Sequence, residues 1–218
     1  MSHCIRVRAP ATTANIGSGF DCAGAALNLW NELEVLPGSG VVVTGEGAEE
    51  IPLDATHLGV RAFSAISSIA GYRFEFHNRI PLASGLGSSA ATIALGVMAA
   101  TLLIEEEVEV SAFLSQSLQF EDHLDNLAPA LLGGVVFAWK DNESCSAQRI
   151  ADTMPLEPVV VVPPEGVSTA EARARLPKEV PFSDAAHSVG RAALLGVSVA
   201  TGNSDLFVDS VDDRIHGY

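Results

Sequence analysis

The sequence predicts a mixture of α-helices and β-strands, and three observations support that prediction. Apolar and polar residues alternate in residues 5–9 and again in Tyr72–Asn78, as they do in half-buried strands. Residues 90–104 are almost wholly apolar and rich in alanine, which is typical of a buried helix and too short to span a bilayer. A glycine-rich loop joins the second strand to this helix. Strand, loop and helix thus follow in the order that a phosphate-binding site requires.

The other elements are predicted from the same two periodicities. Strands are predicted at residues 5–9 (ended by Pro10), 31–37, 41–45, 72–78, 134–139 and 159–162. Gly38-Ser39-Gly40 is read as the turn of a hairpin. Helices are predicted to begin at about residue 58 and at residue 168, and to span 90–104, 111–120, 183–199 and 205–211. His57, just before the first of these helices, is expected at the surface. Residues 11–21 are expected to form a turn-rich loop, and 141–152 a linker or hairpin tip.

Charge and cysteine content narrow the class of protein. The 218 residues include 27 acidic and 12 basic ones, for a formal charge of −15. Such a chain repels phosphates, so neither nucleic acid nor an anionic membrane is an expected partner. The three cysteines are widely spaced and indicate neither a disulfide framework nor a zinc site. No secretion signal opens the sequence, and a cytoplasmic location is expected.

The loop at residues 81–91 has the properties of a phosphate cradle. Gly85 and Gly87 lack Cβ atoms, so the main chain can turn sharply there and approach a ligand closely. The first N–H groups of the following helix have no intrahelical partners and suit an anion. The loop is not a Walker A sequence, because no lysine follows Gly87, and it does not fit G-x-G-x-x-G. A glycine turn with Ser88 as the helix N-cap is the simpler alternative.

This loop resembles the phosphate loop of the GHMP small-molecule kinases, P-x-x-x-G-L-G-S-S-A-A, and matches every defined position of that pattern. The resemblance implies ATP as co-substrate and Mg²⁺ as cofactor, with Ser89 helping to hold the metal. The implied ATP-binding residues are Pro81, Leu82, Ala83, Ser84, Gly85, Leu86, Gly87, Ser88, Ser89, Ala90 and Ala91.

A second candidate site is the acidic stretch that starts at Glu121. Three carboxylates and a histidine within residues 121–125 could hold a divalent cation, and their oxygen atoms favour Mg²⁺ over zinc. An acidic helix end capped by Asp125 or Asn126 is the alternative. Residues 121–134 resemble the E-G-H-x-D-N-x-A-P-A-x-x-G-G pattern of homoserine kinases, a family within the GHMP kinases. Asp122 departs from it, since glycine is usual there.

Two further stretches share this resemblance. Residues 10–21 are similar to P-A-T-S-A-N-L-G-x-G-F-D, and residues 168–178 to S-T-x-x-A-R-x-x-L-P-K. At the entrance to the first long helix this chain has His57 where the resembling kinases have asparagine, so His57 is not assigned to nucleotide binding. The implied roles are substrate binding by Asn15, Asp21, His123, Thr169 and Arg173, catalysis by Asn15, Asp125 and Asn126, and Mg²⁺ binding by Ser89 and Glu121. A carboxylate suits a substrate ammonium, and an arginine suits a carboxylate.

The resemblance also implies architecture and activity. It implies an α+β fold in two parts. Residues 1–150 would form a two-layer GHMP-kinase N-terminal, ATP-binding domain of the ribosomal-protein-S5-domain-2-like type. Residues 151–218 would form the start of a ferredoxin-like C-terminal substrate domain. The implied reaction is ATP-dependent phosphorylation of L-homoserine to O-phospho-L-homoserine in threonine biosynthesis, by a homodimer. Homoserine kinases continue with a further arginine and an S-G-A-G-P-T loop, so a C-terminally shortened chain is expected. The alternatives are a related GHMP kinase with another small hydroxyl substrate, or a nucleotide-binding remnant without turnover.

Overall fold

The protein is described by a computed structural model over residues 4–104, 107–141, 144–161 and 169–216, which form one mixed sheet and seven helices. The strands are β1 (Ile5–Ile16), β2 (Gly19–Pro37), β3 (Gly40–Gly45), β4 (Tyr72–Asn78), β5 (Val135–Asp141) and β6 (Ser144–Ala151). The helices are α1 (Leu58–Ser64), α2 (Ser88–Leu103), α3 (Val110–Ser117), α4 (Leu124–Leu132), α5 (Thr169–Ala174), α6 (Phe182–Thr201) and α7 (Ser204–Ser210).

The strand order is β3-β4-β2-β5-β6, with β1 paired to β2. Every pairing is antiparallel except β3 with β4, which run parallel. The prediction that Gly38-Ser39-Gly40 is a hairpin turn is therefore wrong. β4 lies between β2 and β3, so the chain leaves the sheet after β3, forms α1 and returns as the parallel strand β4.

The predicted loop at 11–21 is instead the far end of a long β1–β2 hairpin. Pro10 does not end β1, because β1 pairs with β2 alone among the described strands and a proline on an edge strand need not break its hydrogen-bond ladder. The register shifts between Pro10 and Ala11, and the strands turn at Gly17 and Ser18. Asn15 and Asp21 both have φ 56°, a left-handed conformation that asparagine and aspartate tolerate.

The core lies between the sheet and helices α1–α4, which confirms the two-layer α+β class. α2 is buried on most of its surface and packs on β1, α1 and α4. A Cβ atom at Gly96 would lie 2.2 Å from the carbonyl oxygen of Gly59, so the two helices touch through their glycines. The other face of the sheet carries charged side chains in cross-strand ion pairs, such as Arg6 with Glu34.

The other predicted strands and helices agree with the structure in part. The strand at Tyr72–Asn78 and helices close to 90–104, 183–199 and 205–211 are confirmed. Helix α4 and strand β6 were not predicted. The predicted strand at 159–162 is wrong for its described part, because residues 159–161 belong to no strand or helix and Val159 is 86% exposed. Residues 162 and 168 lie outside the described ranges. Within those ranges no helix has the length and hydropathy needed to cross a bilayer.

Candidate active site

The phosphate-cradle loop is fixed at its start by β2. Asn31, buried in β2, accepts hydrogen bonds at its Oδ1 from the main-chain N–H groups of Arg79 (2.7 Å) and Ile80 (3.0 Å). These two residues connect β4 to the loop. A buried side-chain oxygen therefore replaces the sheet partners that the chain loses as it leaves β4.

The end of the loop is held between β1 and α4. Gly87 is the N-cap of α2 with φ 65°, and a Cβ atom there would lie 1.9 Å from Oγ1 of Thr12. The Thr12 N–H donates to the carbonyl of Leu86 (3.0 Å), and its hydroxyl donates to Oδ1 of Asn126 (2.7 Å). Only glycine fits this position. Thr12 was not predicted as a site residue, although it lies in the motif at residues 10–21.

The loop opens onto a cavity of about 900 Å³ at the N-terminus of α2. All nine residues from Pro81 to Ser89 line this cavity, whereas Ala90 and Ala91 are fully buried in α2. The other predicted site residues that line it are Asn15, Glu121, His123, Asn126 and Arg173. Strand β1, the loop and the three helices α2, α4 and α5 thus deliver these side chains to one space.

Ser89 and Glu121 meet in this cavity. The Ser89 hydroxyl donates to Oε2 of Glu121 at 2.9 Å, although the residues are 32 positions apart. The other carboxylate oxygen, Oε1, is hydrogen-bonded to Nδ1 of His123. A hydroxyl and a carboxylate side by side are oxygen donors of the kind that Mg²⁺ prefers, beside free main-chain N–H groups for phosphate. The residues present therefore fit the metal that the sequence implies.

Arg173 and His123 line the opposite wall, and Asp21 lies behind Arg173, outside the residues that line this cavity. The Arg173 guanidinium makes a two-pronged ion pair with Asp21, with 3.0 Å between NH1 and Oδ2, and its Nε–H donates to Nε2 of His123 at 3.3 Å. A continuous hydrogen-bonded chain therefore runs from Ser89 through Glu121, His123 and Arg173 to Asp21. It links the candidate metal ligands to the candidate substrate ligands.

Comparisons with known proteins identify the family of this chain. The family model described as GHMP kinases N terminal domain matches residues 55–134. The chain is 41% identical over 223 residues to the homoserine kinase of Clavibacter michiganensis, covering 97% of this chain and 70% of that protein. The homoserine kinase of Streptomyces coelicolor is 39% identical, with 97% and 72% covered. The chain belongs to the homoserine kinase family.

Solved structures place this member of the homoserine kinase family in the same fold. The crystal structure of homoserine kinase from Cytophaga hutchinsonii superposes with a TM-score of 0.80 at 28% identity, covering 99% of this chain and 73% of that one. Phosphomevalonate kinase from Streptococcus pneumoniae superposes with a TM-score of 0.69 at 12% identity, over 96% of this chain and 77% of that one. At that identity the likeness to phosphomevalonate kinase concerns the fold alone.

The predicted catalytic residues occupy different surroundings. Asn15 accepts the main-chain N–H of Asp21 at its Oδ1 (2.9 Å), so it shapes the hairpin tip as well as lining the cavity. The Oδ1 of Asn126 is occupied by Thr12, which leaves its amide nitrogen for a ligand. Asp125 is not among the residues lining the cavity; it is 1% exposed, beneath them.

The carboxylate of Asp125 is buried with little hydrogen bonding. Neither of its oxygens has a well-formed hydrogen bond among the described residues, although the main-chain N–H groups of Asn15 and of Asp125 itself lie near enough to favour the ionised form. Burial raises its pKa, and the charge of Asp21 raises it further. A Cβ atom on Gly24 would lie 1.8 Å from the main-chain oxygen of Asp125, so the glycine in β2 lets the start of α4 approach the sheet. Gly24 was not predicted, and no local pattern indicates it.

Thr169 and His57 are the remaining residues considered in the sequence analysis. Thr169 lies in α5 as predicted, one helical turn before Arg173, but its side chain is outside the described part of the structure. The prediction that His57 is a surface residue is wrong. His57 is 1% exposed, stacks on Phe76 at 4.0 Å, caps α1 by accepting the N–H of Gly59 and lines the cavity. Burial lowers its pKa to about 4.

Proposed function

We propose that this chain transfers the γ-phosphoryl group of ATP to the side-chain hydroxyl of L-homoserine, giving O-phospho-L-homoserine in the route to threonine. The observation that carries the proposal is the contact between Ser89 and Glu121 inside a cavity that is bounded on one side by the phosphate-cradle loop and on the other by Arg173. Family membership supports the same reaction, because the two relatives named above are homoserine kinases.

ATP binding is assigned to the loop and the first turn of α2. The helix N-terminus offers free N–H donors and the positive end of the helix dipole, which compensate locally for a formal charge of −15. Arg175 also lines the cavity and adds a cation that was not predicted. Ser89 and Glu121 would hold Mg²⁺. When bound, the metal neutralises charge on the phosphates during transfer.

The amino-acid substrate is assigned to the opposite wall. Asp21 would bind its ammonium and Arg173 its carboxylate, with Asn15, His123 and Thr169 orienting the rest of the molecule. Asn126 would lie nearest the reacting hydroxyl, with the buried Asp125 beneath it. We name no strong general base, because phosphoryl transfer through a loose transition state depends chiefly on positioning and charge stabilisation.

The setting of the enzyme is part of the same proposal. We assign an ATP-binding domain to residues 1–150 and the start of a substrate domain to 151–218. A cytoplasmic location without nucleic-acid or membrane partners is consistent with the acidic charge and the cysteine content, and the homodimer rests on the family resemblance alone. Each of these assignments is a prediction.

A coupled ADP-release assay tests the reaction. L-homoserine, mevalonate and galactose are supplied in turn with ATP and Mg²⁺, and ADP release is expected with homoserine alone. Ser89→Ala and Glu121→Gln are expected to lower kcat by about 100-fold or more, since both remove a ligand that acts on transition-state charge. Ser64→Ala, which removes an exposed hydroxyl that donates to the carbonyl of Arg61 at 2.8 Å and does not line the cavity, is the control. Release with mevalonate and not with homoserine would reject the assignment.

A further inference from the structure

The tip of the β1–β2 hairpin forms part of the cavity wall and rests on α7 and the residues after it. Phe20 in the tip lines the cavity. Behind it, the Ser18 hydroxyl donates to the main-chain carbonyl of Ser210 at 3.0 Å. A Cβ atom at Gly17 would lie 2.5 Å from Cα of Val211, so the two main chains are in close contact there. This part of the wall is therefore held by a segment that lies 192 positions later in the sequence.

His216 brings this later segment to the cavity itself. Its imidazole stacks on the ring of Phe20, with the ring centroids 4.2 Å apart and the two planes within 1° of parallel. Both side chains line the cavity. The guanidinium of Arg173 lies over the same Phe20 ring, 5.4 Å from its centroid, which is within the range of a cation–π contact. Phe20 thus connects His216 to the arginine that is assigned to the substrate carboxylate.

The imidazole of His216 is fixed in turn by a buried carboxylate. Its Nδ1 is hydrogen-bonded to Oδ2 of Asp213 at 2.9 Å, and the side chain of Asp213 is 7% exposed. A carboxylate can only accept, so Nδ1 carries the proton of this bond. The same carboxylate accepts the hydroxyl of Ser188 in α6 at 2.7 Å and the main-chain N–H of His216 at 2.7 Å. The ring that Phe20 meets therefore has a fixed place and orientation.

We infer that His216 is a positioning residue for the amino-acid substrate and that it acts through Phe20. The stack holds the Phe20 side chain, and with it the guanidinium of Arg173, in the arrangement that binds substrate. The phosphate-cradle loop is fixed separately, by Asn31 and Thr12, so ATP binding does not depend on the stack. This inference rests on the proposed function and deepens it.

Two substitutions separate the stack from the hydrogen bond. His216→Asn keeps a donor for Asp213 but removes the ring, whereas His216→Phe keeps a ring but removes the donor. If His216 acts by stacking, the phenylalanine variant retains the function of the histidine and the asparagine variant loses it. A residue that only anchored the end of the chain through Asp213 would give the reverse order.

Steady-state ADP release, with ATP and L-homoserine varied in turn, tests this role. His216→Asn is expected to raise the KM of homoserine about fivefold, as the loss of one aromatic contact does. Its kcat and its KM for ATP are expected to stay within about twofold of wild type, because the contact is lost from binding and not from the chemical step. His216→Phe is expected to keep the KM of homoserine within about twofold of wild type. His77→Asn, which removes a histidine bonded to Thr44 on the charged face of the sheet, is the matched control.

A double variant tests whether His216 acts through Phe20. Phe20→Leu removes the stack from the other side and is also expected to raise the KM of homoserine about fivefold. In that background His216→Asn is expected to add less than about a twofold increase, because no ring remains for it to stack on. A full additive increase would show that His216 acts independently of Phe20 and would overturn the inference. A fall in kcat with an unchanged KM would place the ring in the chemical step and would overturn it as well.

The outcomes separate this inference from the proposed function. Turnover of homoserine by wild type, with an unchanged KM of homoserine in folded His216→Asn, overturns the inference and leaves the reaction standing. Absence of turnover by wild type overturns both. Thermal melting establishes which variants are folded. Should His216→Asn not fold, Phe20→Leu decides, because it removes the same stack and an unchanged KM there overturns the inference equally.

Discussion

His57 makes stability depend on pH in a way that can be isolated. Its pKa in the folded protein is about 4 against an ordinary value of 6.5, because burial disfavours the charged ring. Between pH 4 and pH 6.5 the imidazole of His57 binds a proton in the unfolded chain but not in the folded one. The contribution of this residue to the free energy of unfolding is therefore greatest well above pH 6.5 and is lost as the pH falls towards 4.

The magnitude follows from the two pKa values. Each factor of ten in proton affinity is worth about 1.4 kcal/mol, so the full effect is about 3 kcal/mol. Linkage between pH 7 and pH 5 gives a loss of about 2 kcal/mol from His57 alone. Other ionisable groups add their own pH dependence, so the prediction concerns the difference between wild type and a variant without this imidazole.

His57→Asn is the matched variant, because asparagine is a good N-cap and is the residue that the resembling kinases carry there. Urea unfolding is measured at pH 7 and pH 5 for wild type, His57→Asn and His77→Asn, a half-buried histidine on the charged face of the sheet. Wild type and His77→Asn are expected to lose about 2 kcal/mol more than His57→Asn over that interval. Parallel losses in wild type and His57→Asn would refute the reasoning.

Three further predictions concern the site. Gly87→Ala places a Cβ atom 1.9 Å from Oγ1 of Thr12, whereas the Cβ atom of Gly85→Ala meets nothing within 4 Å at a similar positive φ. In urea unfolding, Gly87→Ala is expected to lower the free energy of unfolding by about 3 kcal/mol and Gly85→Ala by about 1 kcal/mol, and equal losses would contradict the packing account. Asp125→Asn is expected to raise the melting temperature at pH 8, because the variant has no buried carboxylate to ionise, and to lower kcat about 100-fold. An unchanged kcat would show that Asp125 is not a catalytic residue. Thr12→Val removes the hydroxyl that holds the Asn126 side chain and is expected to lower kcat about tenfold, whereas Thr12→Ser keeps the hydroxyl and is expected to have a kcat near that of wild type. Equal kcat values of the two variants would show that the hydroxyl is not needed.

The features that were predictable from sequence are those encoded in local patterns. The alternation in Tyr72–Asn78 and the glycine loop indicated β4 and the start of α2 without any knowledge of the fold. The meeting of Ser89 with Glu121 was expected only through resemblance, because 32 residues separate them and no periodicity connects the two.

The features that were missed depend on distant partners. Pro10 ends a strand in many settings, but here β1 lies beside β2 alone among the described strands, which periodicity cannot show. The glycines at 38 and 40 are a valid turn signal, yet the strand that follows pairs with β4 rather than β2. Neither the burial of His57 against Phe76 nor the approach of Gly24 to Asp125 has a local signature, because both follow from how helices pack on the sheet.

The tip of the β1–β2 hairpin is buttressed by the last described residues of the chain. The Ser18 hydroxyl donates to the carbonyl of Ser210 at 3.0 Å across 192 positions, and the ring of His216 lies parallel to Phe20 at 4.2 Å. During synthesis the hairpin tip leaves the ribosome about 190 residues before the segment that supports it. The amino-acid pocket is therefore expected to mature only after residue 216 has emerged, while the nucleotide cradle can assemble sooner.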